Sequence, residues 1–123
     1  MTRETTRAQL IDAISAHRLW RTRLANVIGA GVPTDDDIAL ASRDDRCSFG
    51  RWLYGIVPAD NERAHYEICK RSHAYFHAEA VRALRLASEG QQARALASIS
   101  TDGDFMEASR LLIEAMTDWR RSK

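Results

Sequence analysis

The sequence predicts an all-α protein: an antiparallel four-helix bundle with a short extra helix around residues 48–55. Apolar residues recur at the three- and four-residue spacing of helices, and no run of β-branched and aromatic residues alternates as a strand would. Glycine and proline fall between the helical stretches. The long helices are joined by short connections, which favour antiparallel neighbours. Residues 1–123 are interpreted as a single domain, because this length fits one continuous core.

The first helix is predicted from about Thr5 to Ile28. Its inward face is marked by residues spaced alternately four and three apart: Leu10, Ile14, His17, Arg21, Leu24 and Ile28. The stretch GAGVP at 29–33 ends it, because glycine suits a helix C-terminus and proline cannot continue the hydrogen-bond ladder.

The next segment is predicted to be broken helical material. TDDD at 34–37 supplies an N-cap and an acidic first turn for a second helix with few apolar residues. The polar stretch SRDDRC at 42–47 is interpreted as a loop. SFGRWLYG at 48–55 then predicts the short extra helix, which ends at Gly55.

Two long helical segments complete the predicted bundle. Pro58 and Asp60 open the third helix, which runs to about Ser88 before Gly90. The fourth extends from near Gln91 to about Arg120, with an irregularity predicted at STDGD, residues 100–104.

Composition excludes several classes of function. The formal net charge is +1, from 18 basic and 17 acidic side chains, and no basic stripe suggests a nucleic-acid partner. All apolar runs are far shorter than the roughly 20 residues of a membrane helix. The N-terminal MTRETTRAQL lacks the apolar segment of a signal peptide, so a cytoplasmic location with reduced cysteines is expected.

Histidine and cysteine form a stripe on the third helix. His65, Cys69, His73 and His77 are each four residues apart, so successive members share one face. The stripe is about 18 Å long, whereas zinc–nitrogen and zinc–sulfur bonds measure about 2.0–2.3 Å. At most one adjacent pair can therefore share an ion, and further ligands must come from elsewhere.

Two other residues of these types are available, His17 on the first helix and Cys47 before the short helix. Together with two imidazoles of the third helix they would give a closed set of nitrogen and sulfur ligands, as zinc favours at structural sites. Spacing alone leaves other interpretations open. A histidine pair arises by chance on helices, an inward His17 can be a hydrogen-bonded core residue, and Cys47 can be a packed thiol.

Four segments in order resemble the chemoreceptor zinc-binding domain family, usually called CZB: HRLWRTRL, CSFGRWL, HAYFHAEA and GDFMEASRLL. The resemblance extends from about Ile14 to Trp119. It implies a bacterial cytoplasmic sensor module, a four-helix bundle that binds Zn²⁺ through three histidines and one cysteine. The motifs carry these ligand roles onto His17, Cys47, His73 and His77.

The resemblance also implies a regulatory function. Such domains are typically attached to chemotaxis receptors or diguanylate cyclases, whereas this sequence predicts a single domain. The chain is therefore expected to be either free-standing or an N-terminal fragment of a signalling protein. A homodimer is expected from the family and from the apolar strip LLIEAM. No enzymatic activity is expected, because four protein ligands leave zinc no open position. Phe49 and Trp52 are predicted to pack behind Cys47 and support the site.

Three other functions compete with zinc regulation. Hypochlorite or another oxidant could be sensed through a zinc-bound Cys47, or the bundle could serve dimerisation without metal. A di-iron or oxygen carrier would need inward carboxylates at set offsets from histidines, and only Glu62 and Glu79 lie near any.

The remaining candidates are assigned to structure. Asp35–Asp37 and Asp44–Asp45 lack the ligand pattern of a calcium loop and are interpreted as solvated charge. His65 is interpreted as a solvated histidine and Cys69 as a packed thiol. Trp20 and Trp119 are interpreted as core or interface aromatics.

Overall fold

The computed structural model describes residues 3–43 and 47–122, and within them it confirms the all-α helical bundle. The α-helices, in chain order, are α1 (Arg3–Arg18), α2 (Trp20–Gly29), α3 (Asp35–Ser42), α4 (Ser48–Gly55), α5 (Arg63–Ser88), α6 (Gln92–Ser98) and α7 (Asp104–Arg121). A single 3₁₀ turn, Asp60–Glu62, precedes α5. The predicted short helix at 48–55 is α4, with the predicted bounds.

Contacts between helices fix the antiparallel arrangement. On α2 and the α6–α7 segment, Arg21 Nε donates to the Ile99 carbonyl and, further along α2, the Ile28 carbonyl accepts from Gln92 Nε2. Along these contacts the residue numbers rise in one helical segment and fall in the other, so the two segments run antiparallel. The same holds for α5 and α7, where Phe76 packs on Phe105 and Tyr66 on Trp119.

The predicted first and fourth helices are each divided into two helices, α1 with α2 and α6 with α7. At Leu19 the backbone keeps right-handed helical angles, φ −77° and ψ −14°, and its N–H bonds to the Ala16 carbonyl three residues back. The predicted first helix is therefore interrupted by one tighter turn between α1 and α2. Within the predicted fourth helix, α6 and α7 are separated at residues 99–103, which overlaps the irregularity predicted at residues 100–104.

Local sequence explains where α3 and α7 begin. Thr34 accepts a hydrogen bond from the Asp37 N–H, and Asp37 accepts one from the Thr34 N–H, forming a reciprocal capping box. Before α7 the chain passes close to α6. A Cβ on Gly103 would lie 2.1 Å from the Ser98 carbonyl oxygen, so only glycine fits there.

One apolar cluster runs through the bundle. Its largest fully buried side chains come from α1, α2, α4, α5 and α7: Leu10, Leu24, Ile28, Leu53, Phe76, Leu84, Phe105, Leu112, Met116 and Trp119. Three of the four histidines are also buried, which is unusual for a titratable side chain. No described helix is both long and apolar enough to cross a membrane.

Candidate metal centre

Four side chains from three parts of the chain converge inside the bundle. His17 lies in the last turn of α1, Cys47 is the N-cap residue of α4, and His73 and His77 lie one turn apart on α5. One nitrogen of each imidazole and the Cys47 sulfur all lie within 4.8 Å of one another. The fold thus brings together the four residues that the sequence motifs singled out.

Separations between the donor atoms suit a small tetrahedral ion. His73 Nε2 lies 3.2 Å from Cys47 Sγ and 3.1 Å from His77 Nε2. Bonds of about 2.0–2.3 Å in a tetrahedron place neighbouring donors about 3.3–3.8 Å apart. The described donor atoms therefore need to move by only a fraction of an ångström at these two edges.

Backbone carbonyls orient two of the imidazoles. His17 Nδ1 lies 2.8 Å from the Ala13 carbonyl oxygen, and His77 Nδ1 lies 2.9 Å from the Ala41 carbonyl oxygen. A carbonyl can only accept, so each Nδ1 carries the proton and each Nε2 keeps its lone pair. This is the usual arrangement of histidine ligands, in which an outer hydrogen bond fixes the ring and its tautomer.

The Cys47 sulfur is held at the start of α4. The Gly50 N–H donates to Sγ across 3.3 Å, so the side chain caps the helix. The N-terminal end of a helix favours negative charge, which suits the thiolate that a metal requires.

Burial keeps two of the histidines neutral. Loss of solvation lowers the pKa of His17 to about 4, helped by the nearby His77 and opposed by the Ala13 hydrogen bond. The pKa of His73 is lowered to about 2, first by burial and then by His77 and His17. Both imidazoles are therefore available as uncharged ligands at neutral pH.

These pKa values predict acid sensitivity of the metal-free protein. Below pH 6.5 the unfolded chain takes up protons on His17 and His73, while the folded chain holds both neutral, so the free energy of unfolding falls. Between pH 6.5 and 5 the loss should reach about 3 kcal/mol. Urea unfolding with a chelator present measures it. His17→Gln should flatten the profile, and an identical slope in that variant would contradict the assignment.

Aromatic side chains pack against two sides of the cluster. The Phe49 ring lies edge-on to His17 at 5.8 Å and to His73 at 5.1 Å, measured between centroids. Trp52 lies behind it, 5.7 Å from Phe49. On the other side Phe76 packs on His17, at 5.1 Å. Apolar rings thus cover the cluster on two sides, which lowers the local dielectric and strengthens the interaction of the donors with a cation.

Three contacts at the site were missed from the sequence. The carbonyls of Ala13 and Ala41 carry no side-chain signal, because any residue has one. Trp20 was interpreted only as a core or interface aromatic, yet its ring lies 5.6 Å from His77. Its position three residues after His17 on a helical face was the available signal.

The other members of the α5 stripe lie outside the cluster. Cys69 is fully buried, and burial together with Asp118 raises the pKa of its thiol to about 12, as expected of a packed thiol. His65 is half-buried and lies outside the donor cluster, so its description as a solvated histidine is only partly right.

Carboxylates do not contribute to the cluster in the described part of the chain. Glu62 and Glu79 are not members of the donor cluster, so the di-iron interpretation lacks its oxygen ligands there. Asp37 belongs to the capping box of α3, which gives this acidic group a structural role. Asp44–Asp45 lie outside the described residues.

The donor set fits a metal ion better than it fits an apolar core. His17 Nε2 is buried and has no hydrogen-bond partner among the described residues. Leaving such a nitrogen unpaired costs about 1–3 kcal/mol, whereas an ion would use its lone pair. The cluster could therefore hold a metal.

Comparison with protein families agrees with the geometry. The model of the chemoreceptor zinc-binding domain matches residues 17–84 of this chain, a span that begins at His17 and includes Cys47, His73 and His77. No curated protein and no solved structure gives a significant match. Because the matched span exceeds half of the 123 residues, the chain belongs to the chemoreceptor zinc-binding domain family.

Proposed function

We propose that this chain is a zinc-binding regulatory domain, in which His17, Cys47, His73 and His77 hold one Zn²⁺. The observation that carries the proposal is the convergence of these four donors within 4.8 Å inside the bundle. The family match supports the same metal. Two imidazoles already have their outer nitrogen bonded to a carbonyl, so little reorganisation is needed on binding.

The type of donor favours zinc over other common cations. Magnesium and calcium prefer oxygen ligands, and none of the four donors is an oxygen. Imidazole nitrogen and thiolate sulfur are donors that zinc binds in tetrahedral four-coordination, and the cluster offers three of the first and one of the second. With all four positions filled by protein, no open position remains for water or substrate, so the domain is proposed to have no catalytic activity.

Zinc would act by joining helices. The donors belong to α1, the start of α4 and the middle of α5, which are distant in sequence. A shared ion restricts their relative movement and contributes its binding free energy to that arrangement. We propose that zinc occupancy changes helix position and so controls an output partner, a bacterial chemoreceptor or a diguanylate cyclase, in the cytoplasm.

Association into a homodimer is part of the proposal. Two-fold dimers are the commonest oligomers. Of the strip predicted to lie at the interface, Leu112 and Met116 are buried within the bundle, and Leu111 is 37% exposed. An interface through this strip would therefore use the outer face of α7, around Leu111.

Oxidant sensing is a second candidate, favoured by the partial exposure of Cys47. Cys47 is half-buried, whereas the three histidine donors are buried. Hypochlorite could oxidise the thiolate to a sulfenic acid while being reduced to chloride, which would weaken one ligand. A metal-free dimerisation bundle is less well supported, because it would leave His17 Nε2 buried and unpaired.

Metal analysis with thiol titration tests the main proposal. The purified protein should contain one zinc per chain, and Cys47 should react with a thiol reagent only after a chelator removes the ion. Cys69 should stay unreactive in the folded protein, because it is fully buried. Cys69→Ala is the matched control and should keep its zinc. A protein that binds no zinc at neutral pH, or that shows an equally reactive Cys47 with and without chelator, would contradict the proposal.

A further inference from the structure

A cleft opens beside the candidate metal centre. It has a volume of about 720 Å³ and lies between α1 and α2 on one side and α3 with the start of α4 on the other. Sites for small molecules commonly measure about 300–1,000 Å³. The cleft is therefore large enough for an amino acid or a small peptide.

Three of the four donors lie along this cleft. His17, Cys47 and His77 contribute to its lining, whereas His73 does not and is fully buried behind them. Of these three, His17 and His77 are buried and His17 Nε2 is covered, whereas Cys47 is half-buried. Among the described residues, Cys47 is therefore the donor that a small molecule in the cleft would meet first.

Two kinds of side chain line the cleft, small ones and charged ones. Small side chains, Ala16 on α1 and Ala39 on α3, leave the passage wide, and both are exposed. Charged side chains of both signs also line the cleft and are exposed, with Asp12 and Arg23 on the α1–α2 wall and Asp36 and Arg43 on the α3 side. Paired signs suit a ligand that carries both an ammonium and a carboxylate group.

We propose that the cleft binds a low-molecular-weight amino-acid thiol, of which free cysteine is the simplest, and that zinc reaches and leaves the centre as a complex with it. This rests on the proposed zinc function. A thiolate matches the soft donor set and can compete with Cys47 for zinc. Its body fits beside Ala16 and Ala39, and its charged groups face the rim.

The transfer is a ligand exchange without electron transfer. On delivery, each bond between zinc and the carrier thiolate that breaks is replaced by a bond to a protein donor, and the Cys47 thiol gives its proton to solvent. On removal the same bonds form and break in reverse, and the Cys47 thiolate regains a proton. The cleft residues contribute by admitting the carrier to Cys47, the half-buried donor.

The rate of zinc transfer to a chromogenic chelator at fixed concentration tests this inference. With L-cysteine added, the rate should rise in proportion to its concentration. At equal thiolate concentration, 2-mercaptoethanol, which lacks both charged groups, should accelerate transfer less. In the double variant Ala16→Phe/Ala39→Phe, which narrows the cleft from both walls, the dependence on cysteine should fall by about tenfold or more. Equilibrium zinc affinity should stay within about twofold.

Ala64→Phe/Ala93→Phe is the matched control, because both alanines are exposed helix residues on α5 and α6 that do not line the cleft. It should behave as the unmodified protein. A transfer rate independent of cysteine, equal acceleration by the two thiols, or an unchanged dependence in the cleft variant would overturn the inference. A protein that binds no zinc would contradict the proposed function instead, so the two failures are distinguishable.

Discussion

His73→Ala should lower zinc affinity by at least about 100-fold, which corresponds to about 2.8 kcal/mol. His73 is the most central donor, because its Nε2 is 3.2 Å from Cys47 Sγ and 3.1 Å from His77 Nε2. Its removal leaves three ligands and opens a space beside the ion. Competition with a chelator of known affinity measures the change.

His65→Ala is the matched control for this prediction. It removes another imidazole from α5, two turns earlier on the same stripe, and that imidazole does not belong to the donor cluster. Zinc affinity should stay within about twofold of the unmodified protein. If His65→Ala weakened binding as much as His73→Ala, the assignment of ligands on α5 would be wrong.

Phe76→Ala should lower the free energy of unfolding of the metal-free protein by about 3–5 kcal/mol. The ring is fully buried and packs on Phe105 of α7 and on Trp20 of α2, so its loss leaves a cavity between three helices. Chemical denaturation with a chelator present measures the effect without a contribution from zinc.

The adjacent Tyr75→Ala provides the comparison, because Tyr75 is an aromatic residue on the same helix that is 41% exposed. It should cost less than about 1 kcal/mol. Similar losses in the two variants would show that the ring of Phe76 does not form part of a close-packed core.

Zinc should restore much of the stability of Phe76→Ala. The four donors remain in the variant, and an ion that binds only the folded state stabilises it by about 2.7 kcal/mol at a free concentration 100 times the dissociation constant. The midpoint of thermal unfolding, measured with and without zinc, checks this. A midpoint that zinc leaves unchanged would indicate that the donors had separated.

Helix positions were largely predictable from sequence because their signals are local. The spacing of apolar residues indicated the helices themselves. Gly55 and Gly90 marked the ends of α4 and α5, and Thr34 with Asp37 marked the start of α3. The interruption at Leu19 was not predicted. Its backbone stays in the right-handed helical region, so no glycine or proline was required there.

The candidate donors were partly predictable for a different reason. Histidine and cysteine are rare here, with four and two copies, so spacing and motif order could select among few combinations. The carbonyl partners of the imidazoles could not be selected in this way. Ala13 lies on the same helix as His17, but the approach of the Ala41 carbonyl to His77 depends on how α3 packs against α5.

The hydrogen bond from His77 Nδ1 to the Ala41 carbonyl links the imidazole to the last turn of α3. Under the proposed function, packing of α3 against α5 and zinc binding therefore strengthen each other. Because linkage is reciprocal, each raises the equilibrium constant of the other by the same factor. Within this helix Ala41 is fully buried and Ile38 is partly buried against the core. By the same linkage, a partner protein that bound the exposed side of α3, around Leu40, would bind differently with and without zinc. Its binding would in return change the affinity of the domain for zinc.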